Sequence, residues 1–537
     1  MDRLDNKIIE LFPGKIVNKE LGQKLKTGYN APSFVIEYLV GMYCATNDEE
    51  QIKDGMQTVK DILTKHYVRA DEIEKIKYLM REEGSYKVID KAEVYLDEKE
   101  DNYFMKLQTL QIDKIQLIPD FIEKNPRLLT TGVWGIITLS YVRLKNLIEE
   151  EIDIQRPLDG QDCMIWLSEK NAKVIKAVQD EYSENKKHKS RADALPVPYL
   201  LKDFKPIQVP KVDLEELFEN RKKFTLEEWI DFIMRSCGLE PSYFNERQKF
   251  LFLYRLIPFV ENNYNLIELG PRGTGKSFIY KEISPNATLI SGGKTTVAQL
   301  FEWAGVIMRQ NVLGLVNLWD VVGFDEISYN VFKNKESIQI LKDYMESGSY
   351  SRGKNTRFAD ASMVFVGNID EAIENIIKDK NKNLFQWIAQ EMQDTAFLER
   401  IHCFIPGWEF PKMRPEFITK KSGFIVDYFA EFMRSMRKYN YTDKYEKYFK
   451  LNNATQRDSM AIKRTFSGLA KLLFPENEVT KEDTKKLLEY ACECRKRVKY
   501  NLRRMLPHEY PTDSLGYVDL ETGEEVEVFA KEEIQGN

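Results

Sequence analysis

The chain has 537 residues, of which 43% are hydrophobic and 31% charged, and its formal net charge is -6. That length holds about three or four domains, and the mixed charge excludes a global basic footprint, so any nucleic-acid contact must come from local clusters. Six dispersed cysteines without a pair of C-x-x-C motifs, and only four histidines, argue against a zinc site or a disulfide framework.

The start, MDRLDNKIIELFPG, is too charged for a signal peptide, and the apolar run from Val133 to Val142 is too short to span a bilayer. The expectation is a reduced, cytoplasmic chain with no membrane contact. Residues 1–85 read as a helical N-terminal domain; Ile52 to Met80 has helical spacing with Gly55 as its only Gly or Pro. From Tyr86 the texture alternates to Leu96, and it alternates again from Tyr103 to Leu110. The polar turn Asp97–Asn102 lies between, which is a hairpin signal. Further strand-like runs span Leu128–Val142. A small β-barrel-like (OB-like) domain is expected over 86–215, as a DNA-binding candidate with a helical insertion at 167–192. Its cluster Lys186-Lys-His-Lys-Ser-Arg191 is a solvated helix end or a phosphate-contacting loop.

From residue 216 to 415 the pattern becomes α/β, and 416–505 returns to helix as a lid. An acidic tail, 506–537, follows. Within the α/β part lies Gly270-Pro-Arg-Gly-Thr-Gly-Lys276-Ser277, which fits the P-loop pattern G-x-x-x-x-G-K-S/T. An apolar strand precedes it and a helix follows, as that loop requires. Gly270, Arg272, Gly273, Thr274, Gly275, Lys276 and Ser277 are therefore the expected ATP-binding residues. Glycines let backbone amides wrap a phosphate, Lys276 reaches the β/γ-phosphates, and Ser277 offers an oxygen to Mg2+.

Downstream, Leu318-Trp-Asp-Val-Val-Gly-Phe-Asp325-Glu326 is an apolar strand ending in two acids. Asp325 is expected to hold Mg2+ and Glu326 to polarise the attacking water. Ser362–Asn368 is another such strand, with Asn368 placed to fix that water or sense the γ-phosphate. Arg400 is expected to reach a neighbouring subunit's site as an arginine finger. Arg464, or less favoured Lys463, is expected to reach the nucleotide from the lid. The ordered set has the pattern of AAA+ ATPases, and a finger in trans implies a self-assembled ring, most simply a hexamer. Before the Asn368 strand, Gly353-Lys354-Asn355 forms a turn between short strands. Arg352, Lys354 and Arg357 there suit a phosphate backbone at a pore, while Tyr350 keeps a peptide-gripping reading open.

ELGPRGTGKS, SGGKTTVAQLF, DVVGFDEI, GSYSRGK, ASMVFVGNI, DTAFLERIHCFIPGWEFPKMRPEF and SGLAKLLFP resemble the BrxL family, Lon-protease-like AAA+ proteins of bacterial BREX phage-defence systems. The resemblance runs from the N-terminal region to about residue 525. It implies an ATP-driven ring, possible stacking of rings, binding of double-stranded DNA, and other BREX components as partners, a DNA methyltransferase among them. About 30 residues after the last lid helix leave no room for a Ser–Lys protease core, so proteolysis by this chain is not expected. The alternatives are an unfoldase serving a separate protease, or a non-translocating DNA clamp that uses ATP for assembly.

Overall fold

Asp2 starts the first helix, α1 (Arg3–Leu11): its carboxylate accepts the Asp5 amide at 2.8 Å, and Asp5 accepts the Asp2 amide in return at 2.9 Å. The computed structural model describes residues 2–536 apart from 30, 45–47, 70, 98–100, 118–120, 130–131, 142–197, 208–211, 292–294, 305–310, 329–331, 333–334, 353–354 and 380. After α1 come β1 (Ile16–Asn18), α2 (Lys19–Lys26) and α3 (Ser33–Tyr43). A three-residue strand needs a partner, and β1 finds it far along the chain, pairing antiparallel with Ser422–Phe424. Phe12 packs its ring against Phe232 and Phe424 at 5.8 and 4.9 Å. Lys19 is buried, and its ammonium donates to Glu37 and to the Phe424 carbonyl. These contacts fold residues 1–59 into one unit with 211–537, while 60–210 forms a second unit.

In that second unit, β2 (Ser85–Asp97), β3 (Asn102–Leu107), β4 (Ile112–Gln116), β5 (Val133–Tyr141) and β6 (Tyr199–Pro206) close a barrel in the order β2-β3-β4-β6-β5. Every neighbouring pair is antiparallel except β4 with β6. The alternation along β5, buried then half-buried, turns one face of the strand inward. Leu128 belongs to a 3-10 turn, Pro126–Leu129, and not to a strand. The expected insertion at 167–192 and the basic cluster Lys186–Arg191 lie outside the described residues.

The first unit is organised on β7 (Asn265–Gly270), β8 (Ala287–Ile290), β9 (Glu302–Ala304), β10 (Asn311–Leu313), β11 (Val321–Phe324), β12 (Ser349–Arg352), β13 (Asn355–Phe358), β14 (Ser362–Asn368), β15 (Cys403–Pro406) and β16 (Ser422–Phe424). Five of them form one parallel sheet in the order β15-β7-β14-β11-β8. All residues of β7 and β11 are buried, as a parallel sheet covered on both faces demands. Phe324, Phe365 and Phe404 pack there with Val498 and Leu502 of the helix Lys481–Met505. Among the described residues no helix is long and apolar enough to cross a membrane.

The helix Lys481–Met505 also buries Arg495, Lys496, Arg497 and Lys499. Buried cations need partners, and the acidic C-terminal residues supply several of them. Glu532 pairs with Arg497, and Glu533 lies 3.2 Å from Lys496. The tail is therefore folded, with β17 (Phe449–Asn452), β18 (Gly516–Asp519) and β19 (Glu525–Glu527) forming an antiparallel sheet.

Asp458, buried in the first turn of the helix Gln456–Leu473, meets Arg495 at 2.8 Å and Lys499 at 3.3 Å. Burial pushes its carboxyl up, but the two cations outweigh that and hold it at about 2. A depressed carboxylate contributes its stability above the ordinary aspartate value and loses it as pH falls from about 4 to about 2. Asp458→Asn is expected to cost about 3 kcal/mol at pH 7, since it breaks a buried pair. Urea unfolding against pH checks this. The deficit should shrink towards the acid end of that window, and a deficit independent of pH would refute the pairing.

Candidate nucleotide site and its arginines

The loop Gly270–Ser277 joins β7 to the helix Lys276–Glu282 at the C-terminal edge of the sheet. Gly273 and Gly275 take left-handed φ values of 81° and 76°, which side chains other than glycine's rarely adopt. A Cβ on Gly270 would sit 2.4 Å from the Gly407 carbonyl carbon, so the turn after β15 closes against the loop's first residue. The Met413 amide then donates to the Gly273 carbonyl at 2.7 Å. Thr274 is buried, Ser277 half-buried and Arg272 exposed, 3.7 Å from Asp370.

Lys276 is buried and donates to the Gly270 and Pro271 carbonyls at 3.1 and 2.7 Å. Burial holds its ammonium below the usual lysine range, against the opposing pull of Glu268 and, more weakly, Asp325. Under the loop, Arg255 forms a bidentate pair with Glu268 at 2.6 and 2.9 Å, and its guanidinium lies 4.0 Å from the Phe410 ring centre. Sequence reasoning passed over this brace. Its signal was Glu268, a charge inside the fully buried strand NLIELG, which demands a partner.

Asp325 follows β11 and is half-buried; Glu326 is exposed with φ at 56°. A left-handed glutamate stores about 1 kcal/mol of strain, here next to the Asp325 carboxylate, which accepts the Glu326 amide at 3.0 Å. Asn368 ends β14 directly beside Gly270 in the parallel register. Lys276, Ser277, Asp325, Glu326 and Asn368 thus gather at one edge of the sheet.

Arg400 and Arg464 do not join them. Arg400 precedes β15, and its carbonyl accepts from Asn265 at the opposite end of β7. The five steps of β7 from there to Gly270 span about 16 Å. Arg464 donates to the Asn263 carbonyl at 2.6 Å, again at the N-terminal edge. Arg464, expected to reach the nucleotide from the lid, is thus held beside the start of β7 and not beside the P-loop of its own chain. Lys463 is taken by Asp443 and Glu446. Two turns before Arg464, Arg457 shares the surroundings of Arg400. Glu346 lies 2.9 Å from Arg400 and 3.4 Å from Arg457, and Glu399 pairs closely with Arg457. These four line a cavity of about 400 Å³. His402 beside them is held neutral, because burial, reinforced by Arg464 and Arg495, keeps its pKa well below the usual range.

The hairpin before β14 is formed by β12 and β13, with Arg352 opposite Asn355 and Tyr350 opposite Arg357. Lys354 lies outside the described residues, and Arg357 is half-buried. Tyr350 is buried, its hydroxyl donating to the Phe301 carbonyl at 3.0 Å. It anchors the hairpin and is withdrawn from any pore surface.

A parallel five-stranded sheet in this order, with a P-loop after β7, an amide ending the central strand β14 and an Asp-Glu pair after β11, two places from β7, defines a P-loop ATPase domain. The family described as "Lon-like protease BrxL-like, ATPase domain" matches residues 199–516, and "BREX system Lon protease-like protein BrxL N-terminal" matches residues 10–141. The chain belongs to the BrxL family of BREX systems. It is 44% identical over 531 residues to a Lon-like protease BrxL of Escherichia coli O9:H4 (strain HS), covering 99% of this chain and 69% of that protein. A Lon-like protease BrxL of Bacillus cereus (strain H3081.97) is 43% identical over 535 residues, covering 99% of this chain and 71% of that one.

Proposed function

We propose that the chain hydrolyses ATP at a site completed by a second copy of itself, in a closed and most simply hexameric ring, and couples turnover to double-stranded DNA in BREX defence. The observation that carries this is the placement of Arg400 at the edge of the sheet opposite the P-loop. An arginine there serves a nucleotide only in a neighbouring subunit.

Loop amides and Lys276 bind the phosphates. The residues present fit a polyphosphate, because a buried ammonium whose hydrogen bonds among the described residues go to two carbonyls gains a direct counter-charge from it. Ser277 and Asp325 would hold Mg2+, which supplies charge neutralisation on the phosphate oxygens. Glu326 orients water and accepts its proton as the oxygen attacks the γ-phosphorus. The bond to the bridging oxygen breaks, leaving ADP and phosphate. Asn368 positions that water, and Arg400 with Arg457 stabilises the transferred charge in the adjacent site.

The second unit supports the DNA reading. Its closing parallel pair, third strand with fifth, and its strand order match an OB-like barrel, a fold suited to nucleic acid. The hairpin carrying Arg352, Lys354 and Arg357 would track phosphates in a pore. Duplex DNA is expected to stimulate ATP turnover. Reversing charge at Arg352 and Lys354 should bring the ratio of stimulated to unstimulated turnover towards unity, and should lower the salt dependence of duplex binding. An unaltered ratio and salt slope would remove the hairpin from the DNA path. Membership of a BREX family supports other BREX components as partners; a DNA methyltransferase among them and action in the cytoplasm are part of the same proposal.

A second reading, an unfoldase working with a separate protease, has one observation in its favour: Phe358, on the same hairpin, is 78% exposed.

A further inference from the structure

A cavity of about 320 Å³ opens beside the P-loop, a volume suited to a planar ring system. Gly275, Phe278 and Ile279 line one side of it, and Met413, tied through its amide to Gly273, lines another. The start of the chain supplies another part of the wall, with Gly22 and Gln23 of α2, and Leu239, Phe252 and Ile418 complete it. The charged residues at its rim are already committed. Lys26 pairs with Glu282, Glu37 with Lys19, and Arg255 with Glu268. What remains facing the space is largely apolar.

We propose that this cavity takes the adenine base of the nucleotide, that Gln23 of α2 selects the base, and that Phe278 stacks on it. The inference rests on the nucleotide reading of the P-loop. Phe278, in the first turn after the loop, is 47% exposed although aromatic. A ring held out beside a phosphate site offers its face to a base. Gln23 donates its Nε2 to the Thr419 carbonyl at 3.2 Å, which fixes the amide so that Oε1 is its acceptor end. Among the described residues nothing donates to that oxygen. An adenine 6-amino group satisfies it, whereas a guanine 6-carbonyl opposes it. The helices that enter the fold first thereby become part of the nucleotide site.

Calorimetric titration of the full chain with ADP, GDP and inorganic tripolyphosphate tests the assignment. The parent should bind ADP about tenfold more tightly than GDP, and Gln23→Met should bring the two together. Gly22→Leu points a side chain into the cavity. A Cβ there would meet only Glu37 Cγ, at 3.4 Å, so the backbone accepts it. ADP affinity should fall at least about tenfold, with tripolyphosphate unchanged. Phe278→Ala alters a half-exposed side chain, and it should weaken ADP and GDP alike, by about tenfold. Should Gly22→Leu disturb folding, Phe278→Ala and Gln23→Met carry the test alone. Unchanged ADP binding in those two variants, with tripolyphosphate still bound, overturns the base assignment only. A parent that binds none of the three ligands overturns the nucleotide reading, and the cavity assignment with it.

Discussion

Arg400→Ala is expected to lower ATP turnover by about 10³-fold or more, the size of effect seen when an arginine finger is lost. Mixing it with the equally inactive Lys276→Ala should restore part of the activity. The geometry behind this is the length of β7. Arg400 is tied at one end through Asn265, and the P-loop begins at the other. In a mixed assembly, some junctions pair an intact P-loop from one variant with an intact Arg400 from the other. A finger working within its own subunit produces no such junction, so absence of rescue at every mixing ratio would overturn the trans assignment. Arg457→Ala should show the same rescue with a smaller loss, because Glu346 holds both arginines.

Glu326→Gln is expected to reduce hydrolysis by about 10²- to 10⁴-fold while ATP still binds. Glutamine keeps the shape and the hydrogen-bonding reach but cannot take the water's proton. The left-handed backbone at Glu326 is part of this argument. Strain at that residue is tolerated where the surrounding structure aims the side chain, which here follows the strand carrying Asp325. Radiolabelled ATP retention measured beside phosphate release separates binding from chemistry. Near-parent phosphate release would remove Glu326 from its proposed role.

The loop side of the candidate site was legible in the chain as a set of residues, because each of its parts is local. Gly270–Ser277 sits where a strand turns into a helix, and Asp325 and Asn368 end apolar strands that a parallel sheet brings into line. The lid arginine was not legible in the same way. Arg457 and Arg464 share a helix face two turns apart, and spacing alone gives no reason to prefer the first. Only the packing of that helix sets Arg464 against the Asn263 carbonyl and leaves Arg457 beside Arg400. Tyr350 is a similar case: its neighbours in sequence suggest a pore, and its burial against Phe301 removes it from one.

By itself, the sequence determined the chemistry that short stretches can encode: a glycine-rich loop with its lysine, two acids after a strand, an amide after the next. Those functions depend on backbone turns and residue order within a few positions, which local sequence controls. Tertiary structure alone decided which edge of the sheet each arginine occupies, that Glu268 has Arg255 beneath the loop, and that α1, β1, α2 and α3 join the nucleotide-binding unit. Apart from the Arg255–Glu268 pair, 13 positions apart, those outcomes come from contacts between residues more than a hundred positions apart. They are fixed by burying apolar surface and pairing buried charge, and no local pattern records either.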